Sequence, residues 1–221
     1  YLDMPTPHIK ISTLYNPSMS YELFLEPFMV PAVLHLLLCC CVAFAIGQEF
    51  KRNTFAEWVN PQQIVSSFLG KILVYVCIFC FWTWSWMFWL AHIRGYFIAG
   101  SLSLILIAQF LLYFAYAVIS STVVLATKDL PKTFGFIALY GGSSPSFSGI
   151  TLPLNNAPAF TQFWSMIIPY TPYAKLQTEQ WVIGSDLWVS LLPFGILIIF
   201  SALYFALSIR LLRKNTLERR S

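Results

Sequence analysis

Long apolar stretches alternate with short charged segments along this chain, and the positive charges gather on one side of the alternation. The stretches run Phe28–Ile46, Gly70–Ala91, Ile98–Ala126, Phe134–Gly149 and Leu187–Ile209. Most reach the ~20 apolar residues needed to span a bilayer core. Backbone that crosses lipid must satisfy its own hydrogen bonds, so stretches of this length fold as helices. The expected fold is therefore an all-α polytopic membrane protein with about five transmembrane helices. Composition agrees: 58% of residues are hydrophobic, 10% are charged and 18% are aromatic. A soluble domain carries about 25% charged residues.

Orientation follows from the basic residues. If the first span runs inward, Lys51, Arg52, Lys71, Lys128, Lys132, Arg210, Arg213, Lys214, Arg219 and Arg220 are cytoplasmic. Only Lys10, Arg94 and Lys175 are then external. The opposite topology would invert this bias, so the C-terminus is expected in the cytoplasm. The net charge of +4 is no nucleic-acid signal, because the basic residues flank spans instead of forming a patch.

Tyr1–Tyr21 starts on the external side, with Pro5, Pro7, Pro17 and a strand-like Ile9–Lys10–Ile11. Residues 1–24 read as the end of an extracytoplasmic domain whose upstream part, with a further span, is absent from this sequence. The next helix is entered through Pro27 and Pro31, and carries His35. An ionisable residue inside a span is a functional candidate; a neutral histidine bonding to a neighbouring helix is the plainer account.

Residues 48–60 hold the densest charge in the middle of the chain. Phe50, Thr54, Phe55, Trp58 and Val59 recur at helical spacing among Glu49, Arg52, Asn53 and Glu57, and Asn60–Pro61 ends the pattern. A short amphipathic cytoplasmic helix is expected, lying on lipid or docked into a partner. Phe81–Trp89 is an aromatic block too thick for a simple interfacial belt. It either anchors and packs the span or faces an apolar cargo path. His92–Tyr96 is expected to turn tightly into the next span, where Ser120-Ser121-Thr122 allows close helix packing.

Beyond the elbow at Thr127–Lys132, the apolar Phe134–Tyr140 is broken by the Gly- and Ser-rich Gly141–Gly149. Such backbone is tolerated at membrane depth only where protein or a watery cavity covers it. Ala159–Ile168 and Tyr173–Ile183, separated by Pro169-Tyr170-Thr171-Pro172, are each too short to span. They read as re-entrant or interfacial helices at the external mouth, within residues 148–184. Residues 210–221 form a basic tail.

Catalytic motifs are absent. The sequence has no G-x-x-x-x-G-K-[ST], no H-E-x-x-H and no G-x-S-x-G. All nine acids lie at or beyond the span ends, which counts against an ion-coupled carrier with midplane carboxylates. The cysteines lie inside spans; Cys77 and Cys80 have C-x-x-C spacing but no second pair, and read as small buried hydrophobes.

Three stretches carry a family resemblance. Leu14-Tyr15-Asn16-Pro17 with Phe24–Pro27, then Gln48–Thr54, then Phe147–Pro153 with Asn156-Ala157-Pro158 and Ile168–Tyr173 down to Gly184, occur in order along the chain. Together they resemble the transmembrane permease subunit of a type-2 ABC exporter, in its bacterial drug-efflux-like branch. Asn53 stands where that family usually has glycine before the coupling threonine.

The resemblance implies a non-catalytic subunit in the bacterial inner membrane, with six spans in the whole protein. ATP and Mg would be bound by separate ATP-binding-cassette subunits, two permeases would pair as a homodimer or with a related chain, and a periplasmic adaptor is suggested. Residues 48–60 would be the coupling helix, with Glu49, Phe50, Lys51, Arg52, Thr54, Phe55 and Trp58 touching the ATPase. Ser148, Gly149, Pro153, Pro158, Pro169, Pro172 and Gly184 would shape an external gate. Trp82, Trp86, Trp89 and Gln109 are candidates for a cargo path. The rival reading is a non-transporting scaffold or regulatory subunit of a membrane complex.

Overall fold

The computed structural model describes residues 20–151 and 153–218. In chain order the helices are α1 (Tyr21–Lys51), the single turn α2 (Phe55–Trp58), α3 (Ile64–His92), α4 (Leu102–Thr127), α5 (Leu130–Tyr140), α6 (Ser144–Phe147), α7 (Ala159–Ile167) and α8 (Tyr170–Gln177). A π-helical turn at Thr178–Ile183 and α9 (Leu187–Glu218) complete the chain. The protein is an all-α polytopic membrane protein. Of these helices α1, α3, α4 and α9 are long and apolar enough to cross a bilayer.

Helix α4 is the hub, packed against α9, α1, α3 and α5. Polar side chains of α4 and α9 do the joining. Ser120 donates to the Cys39 carbonyl of α1 at 2.7 Å. The α9 side chains Ser201, Ser208 and Asn215 donate to the carbonyls of Leu111, Val118 and Leu125 at 3.4, 3.0 and 3.0 Å. Donors and acceptors both repeat every seven residues at a constant offset of 90, so α4 and α9 run parallel along a heptad-like seam. Across α3 the pairs Thr83–Tyr113 and Met87–Gln109 run in opposite order, so α3 is antiparallel to α4.

These contacts give the bundle two ends. Lys51, Ile64, Lys128 and Glu218 share one, tied by the Lys128–Glu218 ion pair at 2.8 Å; this is the basic end. His92, Ser101 and Leu187 lie toward the other, the aromatic end. Asp129 caps α5 through the amide of Lys132 at 3.0 Å, and Leu130 nests on the bare backbone of Gly47, where a Cβ would collide with it.

Several expectations are corrected. Phe134–Gly149 is not a fifth continuous span. Helix α5 has 11 residues, about 16 Å of rise, and stops midway through the bundle at Gly141-Gly142. At Gly142 a Cβ would strike the Ala138 carbonyl. Residues 48–60 are not one amphipathic helix: Gln48–Lys51 finish α1, and Asn53 turns left-handed at φ +59°, a conformation asparagine tolerates.

The turn after His92 is longer than expected. Residues 97–101 run non-helical, and the amides of Ala99, Gly100 and Ser101 pair with Trp181 and Gln180 of the π-turn. The basic tail is helical through Glu218, buried at Leu212 and Asn215 against α4. The expectations on Leu14–Pro17, on the upstream domain over 1–19 and on Arg219 and Arg220 lie outside the described residues; Tyr21–Phe24 already belong to α1.

Candidate functional site

At the basic end, α2 is braced from inside. Phe55 is buried and packs on Phe50, the rings tilted by 33° with centroids 4.9 Å apart. Trp58 meets Phe55 edge-on and donates Nε1–H to the Ser67 carbonyl at 3.2 Å. The Lys71 ammonium sits 4.3 Å from the Trp58 ring centroid, a favourable cation–π geometry. Glu49, at the end of α1, bonds both Lys71 of α3 and the Thr54 hydroxyl. Three segments thus meet on one carboxylate. Of the residues expected to touch a partner, Glu49, Phe50, Thr54, Phe55 and Trp58 are engaged within this chain, while Lys51 and Arg52 are exposed, together with Glu57. An amphipathic stripe marks a face to be covered; here the chain's own α1 and α3 cover much of it.

Midway along the bundle, the break in α5 is held by buried polar groups. The His35 ring nitrogens lie 3.2 Å from the Gly141 carbonyl and 3.3 Å from the Pro31 carbonyl. A neutral ring donates to one of these. Tyr116 pairs with Ser144 at 2.6 Å, and Ser144 donates to the Tyr140 carbonyl at 2.9 Å. Tyr140 donates to the Ile167 carbonyl and Tyr170 to the Phe28 carbonyl, one residue past the Pro27 carbonyl that Pro31 cannot serve. Irregular backbone at this depth is covered by protein. His35 therefore serves at least to bond a neighbouring segment.

From there α6 leads outward. Helix α7 returns to the level of Tyr140, and α8 with the π-turn climbs back to the aromatic end. Ser148 is nearly buried and donates to the Pro145 carbonyl at 2.7 Å. Gly149 turns at φ +85° over Leu154. Pro153 and Pro158 are exposed, and Pro158 precedes α7. Pro169 starts α8, and Pro172 is buried in its first turn, where a missing N–H costs nothing. Gly184 closes the π-turn at φ +71°, its α-hydrogens against the Ala99 carbonyl.

One residue escaped sequence reasoning. The Gln180 side chain accepts the Ser101 amide at 2.9 Å and donates to the Ser185 carbonyl at 3.0 Å and Ser190 Oγ at 2.9 Å. Its own carbonyl accepts from Gly100 at 2.8 Å. Ser190 in turn donates to buried Glu179 at 2.7 Å. Gln180 thereby joins the starts of α4 and α9 to the π-turn. Its only signal in the sequence is a Glu-Gln pair just before an apolar span.

The four cargo-path candidates do not share a surface. Trp82 is 60% exposed, whereas Gln109 is fully buried, 3.4 Å from the Tyr173 hydroxyl. Trp86 and Trp89 stack at 4.8 Å and pack with Met87, Leu90, Ile105 and Trp181. The aromatic block wraps α3 on several sides because consecutive helical positions point about 100° apart. Arg94 lies over Trp89 and pairs with Glu22 of α1.

Among the described residues no group of histidine, cysteine and carboxylate side chains is placed to hold a metal ion, and the five cysteines are free. No curated protein matches the chain. The family model described as ABC-2 family transporter protein matches residues 3–210, and the chain belongs to that family.

Proposed function

We propose that this ABC-2 family permease exports cargo by coupling to separate cytoplasmic ATPase subunits through the elbow of α1, α2 and α3. Membership of the family makes the chain the membrane-spanning component of an ABC transporter. The observation that carries the coupling assignment is the construction of residues 49–58. Their inner side is locked by Glu49, Lys71, Phe55 and Trp58, and their outer side presents Lys51, Arg52 and Glu57. A surface built this way transmits a push. A partner that engages the exposed charges moves α1 and α3 together, because Glu49 of α1 is bonded to Lys71 of α3.

Charges of this kind set register and steer encounter. The basic end faces the cytoplasm in this reading, consistent with the concentration of Lys and Arg there. ATP and Mg belong to the partner subunits, which supply the chemistry. The α7–α8 hairpin and the Gln180 cluster then close the opposite, external end. A second permease copy covers part of the exposed apolar surface of α1, α7 or α9.

The test is a mild-detergent pull-down of the full-length protein, with an ATPase assay on the eluate. Co-elution of a P-loop ATPase that is lost on the charge reversals Arg52→Glu and Glu57→Lys supports the reading. Clean elution without ATPase overturns it and leaves a membrane scaffold or regulatory subunit.

A further inference from the structure

At the basic end, the first turns of α3 and the last turns of α9 enclose a groove of about 860 Å³. Its mouth is polar, with Gln62, Gln63, Thr216 and Arg213. Toward the middle of the bundle an adjoining hollow, sharing Val65 and Arg213 with the first, lies between Val65 on one wall and Phe205, Ala206 and Ile209 on the other, with Arg210 one turn from Arg213. Gly70 widens it; a Cβ there meets nothing within 4 Å.

No acidic residue lines the groove. Among the described residues neither Arg210 nor Arg213 forms an ion pair, whereas the adjacent Lys214 reaches Glu218 at 3.7 Å. Arg210 and Arg213 are exposed at the edge of this largely apolar groove, and two guanidinium groups without a carboxylate partner there are complementary to an anion. The slot also runs from polar to apolar along the helices and opens sideways beside the exposed Val65, Leu203 and Leu207. A soluble anion needs no such apolar extension, and a protein segment needs no such gradient. An amphiphile needs both.

We propose that this groove binds an anionic phospholipid of the leaflet at the basic end. The phosphate lies between the guanidinium groups of Arg210 and Arg213, and an acyl chain follows Val65, Phe205 and Ile209 toward the bilayer centre. Guanidinium forks match phosphate oxygens in pairs, and basic pockets between spans are suited to anionic headgroups. The groove shares the first turns of α3 with the coupling elbow, but its arginines lie on α9 and the proposal does not rest on the coupling assignment.

The test is native mass spectrometry of the full-length protein in detergent, titrated with phosphatidylglycerol or phosphatidylcholine. The wild type should retain phosphatidylglycerol in preference. Arg210→Gln with Arg213→Gln should weaken retention roughly 25-fold, about fivefold per arginine near a charged surface. Gly70→Leu keeps both charges but fills the slot, and should also weaken it. Lys214→Gln should leave it unchanged.

Equal retention of the two lipids by the wild type overturns the proposal. So does an equal loss from Lys214→Gln, which would mean bulk surface charge. Inorganic phosphate that raises the melting temperature as much as phosphatidylglycerol does would also sink it, leaving a simple anion site.

Discussion

The side-chain carbonyl of Gln180 accepts the backbone amide of Ser101 at 2.9 Å, joining residues 79 positions apart at the aromatic end of the bundle. The other half of the same amide group serves Ser185 and Ser190. Replacement by alanine removes the partner of buried Ser190 and of the half-buried Ser101 and Ser185. Gln180→Ala should therefore destabilise the protein by about 1–3 kcal/mol, read as a lower melting temperature in detergent. An unchanged melting temperature would remove Gln180 from its role as a joint.

Gly184 offers a second handle on the same joint. At φ +71° a side chain is strained, and its Cβ would press on the Ala99 carbonyl. Gly184→Ala is expected to cost at least ~1–2 kcal/mol from backbone handedness alone. Gly195, where a Cβ meets nothing within 4 Å, is the control: Gly195→Ala should be neutral or mildly stabilising, since alanine is the better helix former.

Stability and coupling should separate at the elbow. Phe55→Ala empties a buried site and should cost ~3–5 kcal/mol, as large-to-small core changes do. Arg52→Ala removes an exposed charge and should leave the stability within about 0.5 kcal/mol of wild type while lowering ATPase co-purification. The reverse pattern would mean that the partner surface is aromatic and not charged.

Along the α4–α9 seam, Ser208→Ala should cost only about 0.6 kcal/mol, the average for hydrogen bonds between helices in membranes. Ser208 is fully buried, so Ser208→Leu overpacks the seam and should cost ~1–3 kcal/mol. Thermal unfolding of the two variants in one detergent distinguishes a packing role from a bonding role.

The spans were legible because lipid leaves a chain few options: an apolar run of sufficient length folds as a helix. The start of α7 and the close of the π-turn could be read because Pro158 and Gly184 act through local backbone geometry, whereas α8 starts at Tyr170 and not at the expected Tyr173, because Pro172 fits inside its first turn. The stop of α5 at half depth was visible as Gly141-Gly142, but glycines alone do not say at what depth a helix halts. That depends on His35 and Tyr116, which lie far away in sequence. Phe55 was read as partner-facing because hydrophobic periodicity identifies a covered face without naming what covers it. Ser201, Ser208 and Asn215 stood in the sequence at intervals of seven inside an apolar helix, yet their acceptors are backbone carbonyls, which leave no mark in a sequence.

Those three side chains constrain how the molecule can work. A one-turn slip of α9 along α4 would shift their offset by about four residues and break all three bonds in one step. The pair therefore behaves as a stator. In the proposed export cycle, motion would fall to the parts joined through bends and breaks, the proline-bearing α1 and the interrupted α5.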